Sequence, residues 1–249
     1  KHDVTPMHRL SVAALSSFVM IHFFGTIKNI DIPFLSSIFH SNTFLLLLTL
    51  LAFTAITHGF NMIDGLNGLA ALTYLTIMGS IYYMSLNSHD VIFHKITLIA
   101  LCLPLGFFVF NYPFGKIFLG DTGAYLLGFI SSAIIIYFFN QNPQLLSWQA
   151  ILILIYPITE VIYTFVRRLT KKLSPFKPDN KHLHTFFYQM LKRKKLFSKQ
   201  ANNYATLCML PFLFYGPLMN QIVTPSPEPI FLAILFYVVA YILTYRNIK

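Results

Sequence analysis

The sequence is short of charge. Only 10% of its 249 residues are Asp, Glu, Lys or Arg, against roughly 25% in an ordinary soluble domain. A water-soluble chain of this length could not cover its surface with so few. Acidic residues are scarcer still, 8 against 18 Lys and Arg. Cysteine is nearly absent: Cys102 and Cys208 lie inside apolar runs with no spacing motif, which excludes a disulfide framework or cysteine-rich metal site and leaves them as packing residues. There is no defensible internal repeat and no low-complexity segment. A secretory leader pattern is also missing. The chain opens Lys1-His2-Asp3 rather than with Met, as expected of a processed chain or a piece of a longer one.

What is present is apolar: 56% of the residues are hydrophobic. Runs of membrane-spanning length predict eight helices, at about 10–27, 42–58, 69–86, 96–111, 123–139, 148–166, 204–222 and 230–245. The expected fold is an all-α, polytopic transmembrane helix bundle of about eight helices, forming a single integral-membrane domain over 1–249. Charge tests this topology. With the N-terminus in the cytoplasm and sides alternating, sixteen Lys and Arg fall on the cytoplasmic side and only Lys28 and Lys95 on the other. Such a split follows the positive-inside rule and places both ends of the chain inside. The net charge of +10 is then mostly topological, and no nucleic-acid partner is needed to explain it. The basic cytoplasmic loop 167–203 is either a solvated, lipid-facing segment or a site for phosphate groups at the membrane surface.

Three cytoplasmic segments carry unusual residues. In His58-Gly59-Phe60-Asn61-Met62-Ile63-Asp64-Gly65-Leu66-Asn67-Gly68, the side chains of Asn61, Asp64 and Asn67 recur every three residues. On a helical turn they would share a face and offer hard oxygen ligands; an Asn/Gly-rich turn between two helices would look the same. In Phe114-Gly115-Lys116-Ile117-Phe118-Leu119-Gly120-Asp121-Thr122-Gly123, Asp121 sits where a membrane helix begins, as a cap or as a metal ligand. Lys116 is either a phosphate contact or an interface lysine. In Ser174-Pro175-Phe176-Lys177-Pro178-Asp179-Asn180-Lys181-His182-Leu183-His184, the prolines exclude a long helix, and alternation would let His182 and His184 face one way. They could bind zinc, contact a pyrophosphate or do neither.

Glu160 lies within the sixth run near its cytoplasmic end, and an intramembrane carboxylate is costly enough to be a functional candidate. Arg167, two turns on, is its expected ion-pair partner. His22 and His58 read as hydrogen-bonded packing residues. Taken together, oxygen ligands without a cysteine cluster suit magnesium better than zinc, and magnesium beside basic groups at a membrane surface suits a phosphate-bearing substrate.

The segments Asn61-Met62-Ile63-Asp64-Gly65-Leu66-Asn67-Gly68-Leu69-Ala70, Leu119-Gly120-Asp121-Thr122-Gly123-Ala124 and Ser174 to His184 resemble, in order, the motifs of the polyprenyl-phosphate N-acetylhexosamine-1-phosphate transferase family. The resemblance runs through the whole chain. The Ser-Pro-Phe-Lys-Pro-Asp stretch is closer to the branch that moves a simple N-acetylhexosamine phosphate than to the muramoyl-pentapeptide branch. The resemblance implies that a polyprenyl (undecaprenyl) phosphate in a bacterial cytoplasmic membrane takes a sugar-1-phosphate from a UDP-N-acetylhexosamine, with loss of UMP. This would be the first step of a lipid-linked cell-envelope glycan such as an O-antigen. Magnesium, with manganese as an alternative, is implied as cofactor, held by Asn61, Asp64 and Asp121. Asp64, Asp121 and His182 are the implied catalytic residues. Asn67, Lys116, Lys177, His182 and His184 are the implied substrate contacts. A homodimer is an open expectation.

The chain departs from the family at Asn67, where a second aspartate is common, and at Thr185, where a third histidine is usual. Lys1-His2-Asp3-Val4-Thr5-Pro6 resembles the tail of the family's Asp-Asp-x-x-Asp motif, with Asp3 as its last residue. The family has ten or eleven helices, so the resemblance implies that two or three helices and an aspartate pair lie upstream. The 249-residue chain alone is expected to be inactive or nearly so. The alternatives outside the family are a transporter, which would place its polar residues nearer mid-membrane, and a non-catalytic membrane scaffold.

Overall fold

The computed structural model describes residues 6–28, 30, 41–86, 90–175 and 179–249. Asp3 and Lys177 lie outside them. The described residues form helices α1 Pro6–Phe24, α2 Asn42–Ile63, α3 Leu69–Ser85, α4 Val91–Cys102, α5 Leu105–Asn111, α6 Gly120–Gln141, α7 Ser147–Ile153, α8 Ile155–Thr170, α9 Leu183–Arg193, α10 Ala201–Ile222 and α11 Pro227–Ile248. A 3-10 turn, Lys195–Gln200, leads into α10.

Each of the eight expected runs coincides with a helix or a helix pair. Among the described residues, four stretches are long and apolar enough to cross a membrane: Asn42–Ile63, Val91–Asn111 (α4 with α5), Gly120–Gln141 and Pro227–Ile248. The α7–α8 pair makes a fifth if it is taken as one bent span. That is fewer than eight. His8–Phe24 and Leu69–Ser85 are apolar but shorter, and α10 is diluted by Pro211, Pro217, Asn202, Asn203, Asn220 and Gln221. The outer faces are nonetheless greasy. Leu15, Phe18 and Phe23 of α1 and Leu232, Phe236 and Leu243 of α11 are all exposed, which suits a lipid surround and not water.

Local chemistry starts and breaks these helices. Ser41 caps α2 by accepting from the Phe44 amide, and Asp90 caps α4 through the Phe93 amide. The expected single helix at 148–166 is instead two helices bent by 80° at Leu154. Pro157 has no N–H for the Ile153 carbonyl one turn back, and its ring crowds that carbonyl. The bend serves packing, because the backbone of α10 crosses there at Gly216, where a Cβ would collide with the Leu152 carbonyl. In α10, Pro217 leaves the Leu213 carbonyl without its helical donor, and Thr76 of α3 supplies a hydroxyl at 3.4 Å.

Helix α2 is the hub, packed against α1, α6 and α8. Its approach to α6 is close: a Cβ on Gly128 would sit 2.8 Å from the Thr57 Cα. Helices α3 and α10 pack against each other through a core that includes Tyr74, Ile77, Met209 and Leu213. The polar ends of α1, α2, α6 and α8 thereby meet at one end of the bundle, where α9 and residues 179–182 lie against them. The stretch 167–203 is accordingly not all loop. Its second half forms amphipathic α9, with Leu183, Phe187 and Leu191 turned inward.

Candidate active site

The first cluster forms where α2 stops. The helix ends at Ile63 and Asp64 caps it. The expectation that Asn61, Asp64 and Asn67 share a helical face therefore does not hold, because only Asn61 is still on the helix. Asn61 donates from its amide to an Asp121 carboxylate oxygen at 3.0 Å. Asp121 stands in the first turn of α6, where the helix N-terminus favours a negative charge. Its other oxygen takes Arg9 of α1 at 2.6 Å. Arg9 had no role in the sequence reading; its only signal there was a basic residue near the start of an apolar run. Burial, and behind it the Asp121 charge, pushes the Asp64 carboxyl up to about 6. Two carboxylates and an amide are thus gathered in one place.

Asn67 turns the other way. Its backbone N–H donates to the Asn202 side chain at 2.7 Å and its amide to Asn203 at 3.3 Å, while Thr206 donates to its carbonyl at 2.8 Å. Asn203 also donates to the Pro113 carbonyl at 2.8 Å. Asn111 joins the same region by accepting from the Gly68 amide. Asn67 thus ties the turn after α2 to the start of α10 and to the segment before α6. Lys116, in that segment, lies over the Phe114 ring at 5.2 Å.

The second cluster surrounds the histidines. His182 precedes α9 and His184 lies in its first turn; their rings are parallel, with centroids 5.4 Å apart. His182 Nδ1 meets the Glu160 carboxylate at 2.9 Å, and its Nε2 meets the Asp179 carbonyl at 3.0 Å. Both partners are acceptors, so the ring satisfies both only with a proton on each nitrogen. Glu160 is fully buried and takes a second hydrogen bond from the Tyr241 hydroxyl at 2.6 Å. The expected Glu160–Arg167 pair is not formed. Arg167 instead bonds the Asp179 carboxylate, with Arg168 3.5 Å from the same oxygen. Burial works against the Asp179 charge, but the Arg167 hydrogen bond and charge prevail and hold its pKa below the ordinary carboxylate value. The partners changed because Asp179 and His182, both outside α8, lie against it, a contact that helical spacing cannot reveal. Burial depresses His184 to about 4, so that it is neutral near pH 7. Its Nδ1 is buried with no hydrogen-bond partner.

Both clusters border one cavity of about 600 Å³. Arg9, His58 and Asn61 line it on one side, and Asp179, His182 and His184 on the other. Its remaining wall is largely apolar, with Leu10, Leu51, Ala55, Val161 and Phe165. Among the described residues, no three His, Cys, Asp or Glu side chains converge as a complete metal site. The oxygen donors Asn61, Asp64 and Asp121 fit part of a hard-cation shell, which magnesium commonly completes with water and substrate oxygens.

Comparison with known proteins places these clusters in context. Residues 1–139 match the glycosyl transferase family 4 model. A probable undecaprenyl-phosphate N-acetylglucosaminyl 1-phosphate transferase of Bacillus subtilis is 33% identical over 155 residues, 62% of this chain and 43% of that protein. An undecaprenyl-phosphate alpha-N-acetylglucosaminyl 1-phosphate transferase of Thermotoga maritima is 30% identical over 194 residues, 78% of this chain and 57% of its own. A decaprenyl-phosphate N-acetylglucosaminephosphotransferase of Mycobacterium leprae is 29% identical over 196 residues, 70% of this chain and 48% of its own. The chain spans about half the length of the curated relatives it matches.

Proposed function

Because the chain belongs to glycosyl transferase family 4, we propose that the protein transfers N-acetylglucosamine-1-phosphate from its UDP-sugar to a polyprenyl phosphate. A phosphate oxygen of the lipid attacks the sugar-bearing phosphorus of the donor, the bond to the other phosphate breaks, and UMP leaves. The observation that carries this reading is the shared cavity. One side holds the partners of Asp121, the other holds two histidines, and the remaining wall is apolar enough for a prenyl chain.

The division of labour follows from the groups present. Asn61, Asp64 and Asp121 would hold magnesium, or manganese, through oxygen. The chemistry of the pair supports this, since two mutually repelling carboxylates gain from a shared cation. Bound there, the ion would offset the charge of the donor diphosphate. Arg9, already at the cavity and bonded to Asp121, presents a guanidinium to a phosphate entering from the apolar side. His182, held by Glu160 and the Asp179 carbonyl, would face the diphosphate with a fixed ring. His184 has an unpartnered Nδ1 to offer to a donor oxygen. Lys116, in the segment before α6, would contact the nucleotide end, whereas Asn67, with its amide held by Asn203, ties the turn after α2 to α10. The relatives' names support N-acetylglucosamine as the sugar. We place the protein in the bacterial cytoplasmic membrane with the site on the cytoplasmic side, as the sixteen-to-two distribution of basic residues supports.

The test is direct. The protein as its gene encodes it, purified in detergent, should release UMP from UDP-N-acetylglucosamine only when undecaprenyl phosphate and a divalent cation are both added. UMP release without the lipid, or no release under any divalent cation, would sink the reading.

A further inference from the structure

The last helix lies outside the family-matched residues 1–139, yet it reaches into the histidine cluster. Tyr237, Tyr241 and Tyr245 of α11 follow one another at four-residue spacing on a single face, and all three are buried. Their rings stack in sequence, with centroids 6.5 and 6.4 Å apart. Their hydroxyls do three different things. Tyr237 donates to the Phe212 carbonyl at 3.3 Å, a link between two helices. Tyr245 donates to the Lys181 carbonyl at 2.9 Å, in the backbone just before His182. Tyr241 donates to Glu160 at 2.6 Å, on the oxygen that His182 does not use.

Glu160 and Tyr241 are both 0% exposed, so no water can replace that donor. Without it, one carboxylate oxygen of Glu160 is buried and unmet, and the carboxylate is free to rotate off His182 Nδ1. The His182 ring is then held only through Nε2, and its stacking on His184 loosens with it.

We propose that Tyr241 is a positioning residue for the donor side of the reaction: through Glu160 it fixes the His182 ring against the cavity, which makes the C-terminal helix part of the UDP-sugar site. This rests on the transferase reading. A tyrosine hydroxyl on the final helix thereby sets donor affinity without touching the donor.

The experiment compares Tyr241→Phe with Tyr237→Phe in the full-length protein. Both lose one buried hydroxyl from the same helix face, but only the first touches Glu160. In Tyr241→Phe the KM for UDP-N-acetylglucosamine should rise about tenfold, with kcat and the KM for undecaprenyl phosphate little changed. Tyr237→Phe should leave both KM values near wild type. Independently of turnover, acylation of His182 by diethyl pyrocarbonate, read by peptide mass spectrometry, should quicken in Tyr241→Phe and not in Tyr237→Phe. An active Tyr241→Phe protein with wild-type donor KM, or with wild-type His182 acylation, overturns the proposal, as does an equal response of the two variants. A wild-type protein that releases no UMP ends the transferase reading itself, while the acylation comparison still shows whether the hydroxyl holds the ring.

Discussion

The two polar clusters that border the cavity are built in opposite ways. On the histidine side, charges are closed on one another: Glu160 on His182 and Tyr241, Asp179 on Arg167 and Arg168. These groups are buried, and their geometry is set by α8, α9 and α11 together. On the aspartate side, the Asp121 side chain is 52% exposed, Asp64 has its carboxyl pushed up to about 6, and among the described residues Arg9 alone forms an ion pair with them. One side is finished by the chain itself, and the other is arranged to receive a cation from outside. The histidine cluster should therefore be sensitive in folding, and the aspartate cluster in turnover.

The sharpest way to break that contrast is Asp121→Asn. It removes a charge from a half-exposed position, so the melting temperature in detergent should hardly move. UMP release by the full-length protein should fall by about a thousandfold or more, on the scale of a lost transition-state electrostatic contact. Glu160→Gln should act the other way round. Leaving a buried partner uncompensated costs about 3–5 kcal/mol, read as an early thermal transition. A Glu160→Gln protein as stable as wild type would erase the distinction between the clusters.

Acid should separate them as well. Burial holds His184 at about 4 in the folded chain, against an ordinary 6.5 for a free imidazole. Between those values the unfolded chain binds a proton that the folded chain refuses, so stability falls as pH drops through this window. The loss is complete below about pH 4 and amounts to on the order of 3 kcal/mol. Thermal melts from pH 7 to 4 should show the decline, and His184→Gln should flatten it. The smallest expected effect lies outside both clusters. Asn67→Asp installs the residue common in the family, but sets a carboxylate against the Asn203 carbonyl oxygen. Turning the Asn203 amide to meet it would sacrifice the bond to Pro113. The cost should be about 1 kcal/mol, measured as a shift in the same melt.

The sequence located both clusters because each motif is a short continuous stretch whose residue types already state their chemistry. Asn61 does meet Asp121, and His182 does stack on His184. It failed where the partner came from elsewhere in the chain. Asn67 looked like a third ligand at helical spacing, but α2 ends four residues before it and the side chain turns to α10. Arg167 looked like the partner of Glu160 because spacing within one helix was the only geometry to hand. Tyr241 and Arg9 carried no local signal, since a tyrosine or an arginine near the end of an apolar helix is ordinary.

Hydropathy alone determined that this is an all-helical chain with lipid-facing surfaces, because burial of twenty apolar residues in sequence outweighs any local detail. Short-range order likewise determined which residues could do chemistry. Which of them face one another was decided only by the fold: by the 80° bend that Pro157 allows, and by a last helix that delivers Tyr241 to a carboxylate 81 residues away. Hydrogen bonds of that kind depend on positions in space fixed to a few tenths of an ångström, and no periodicity along the chain encodes them.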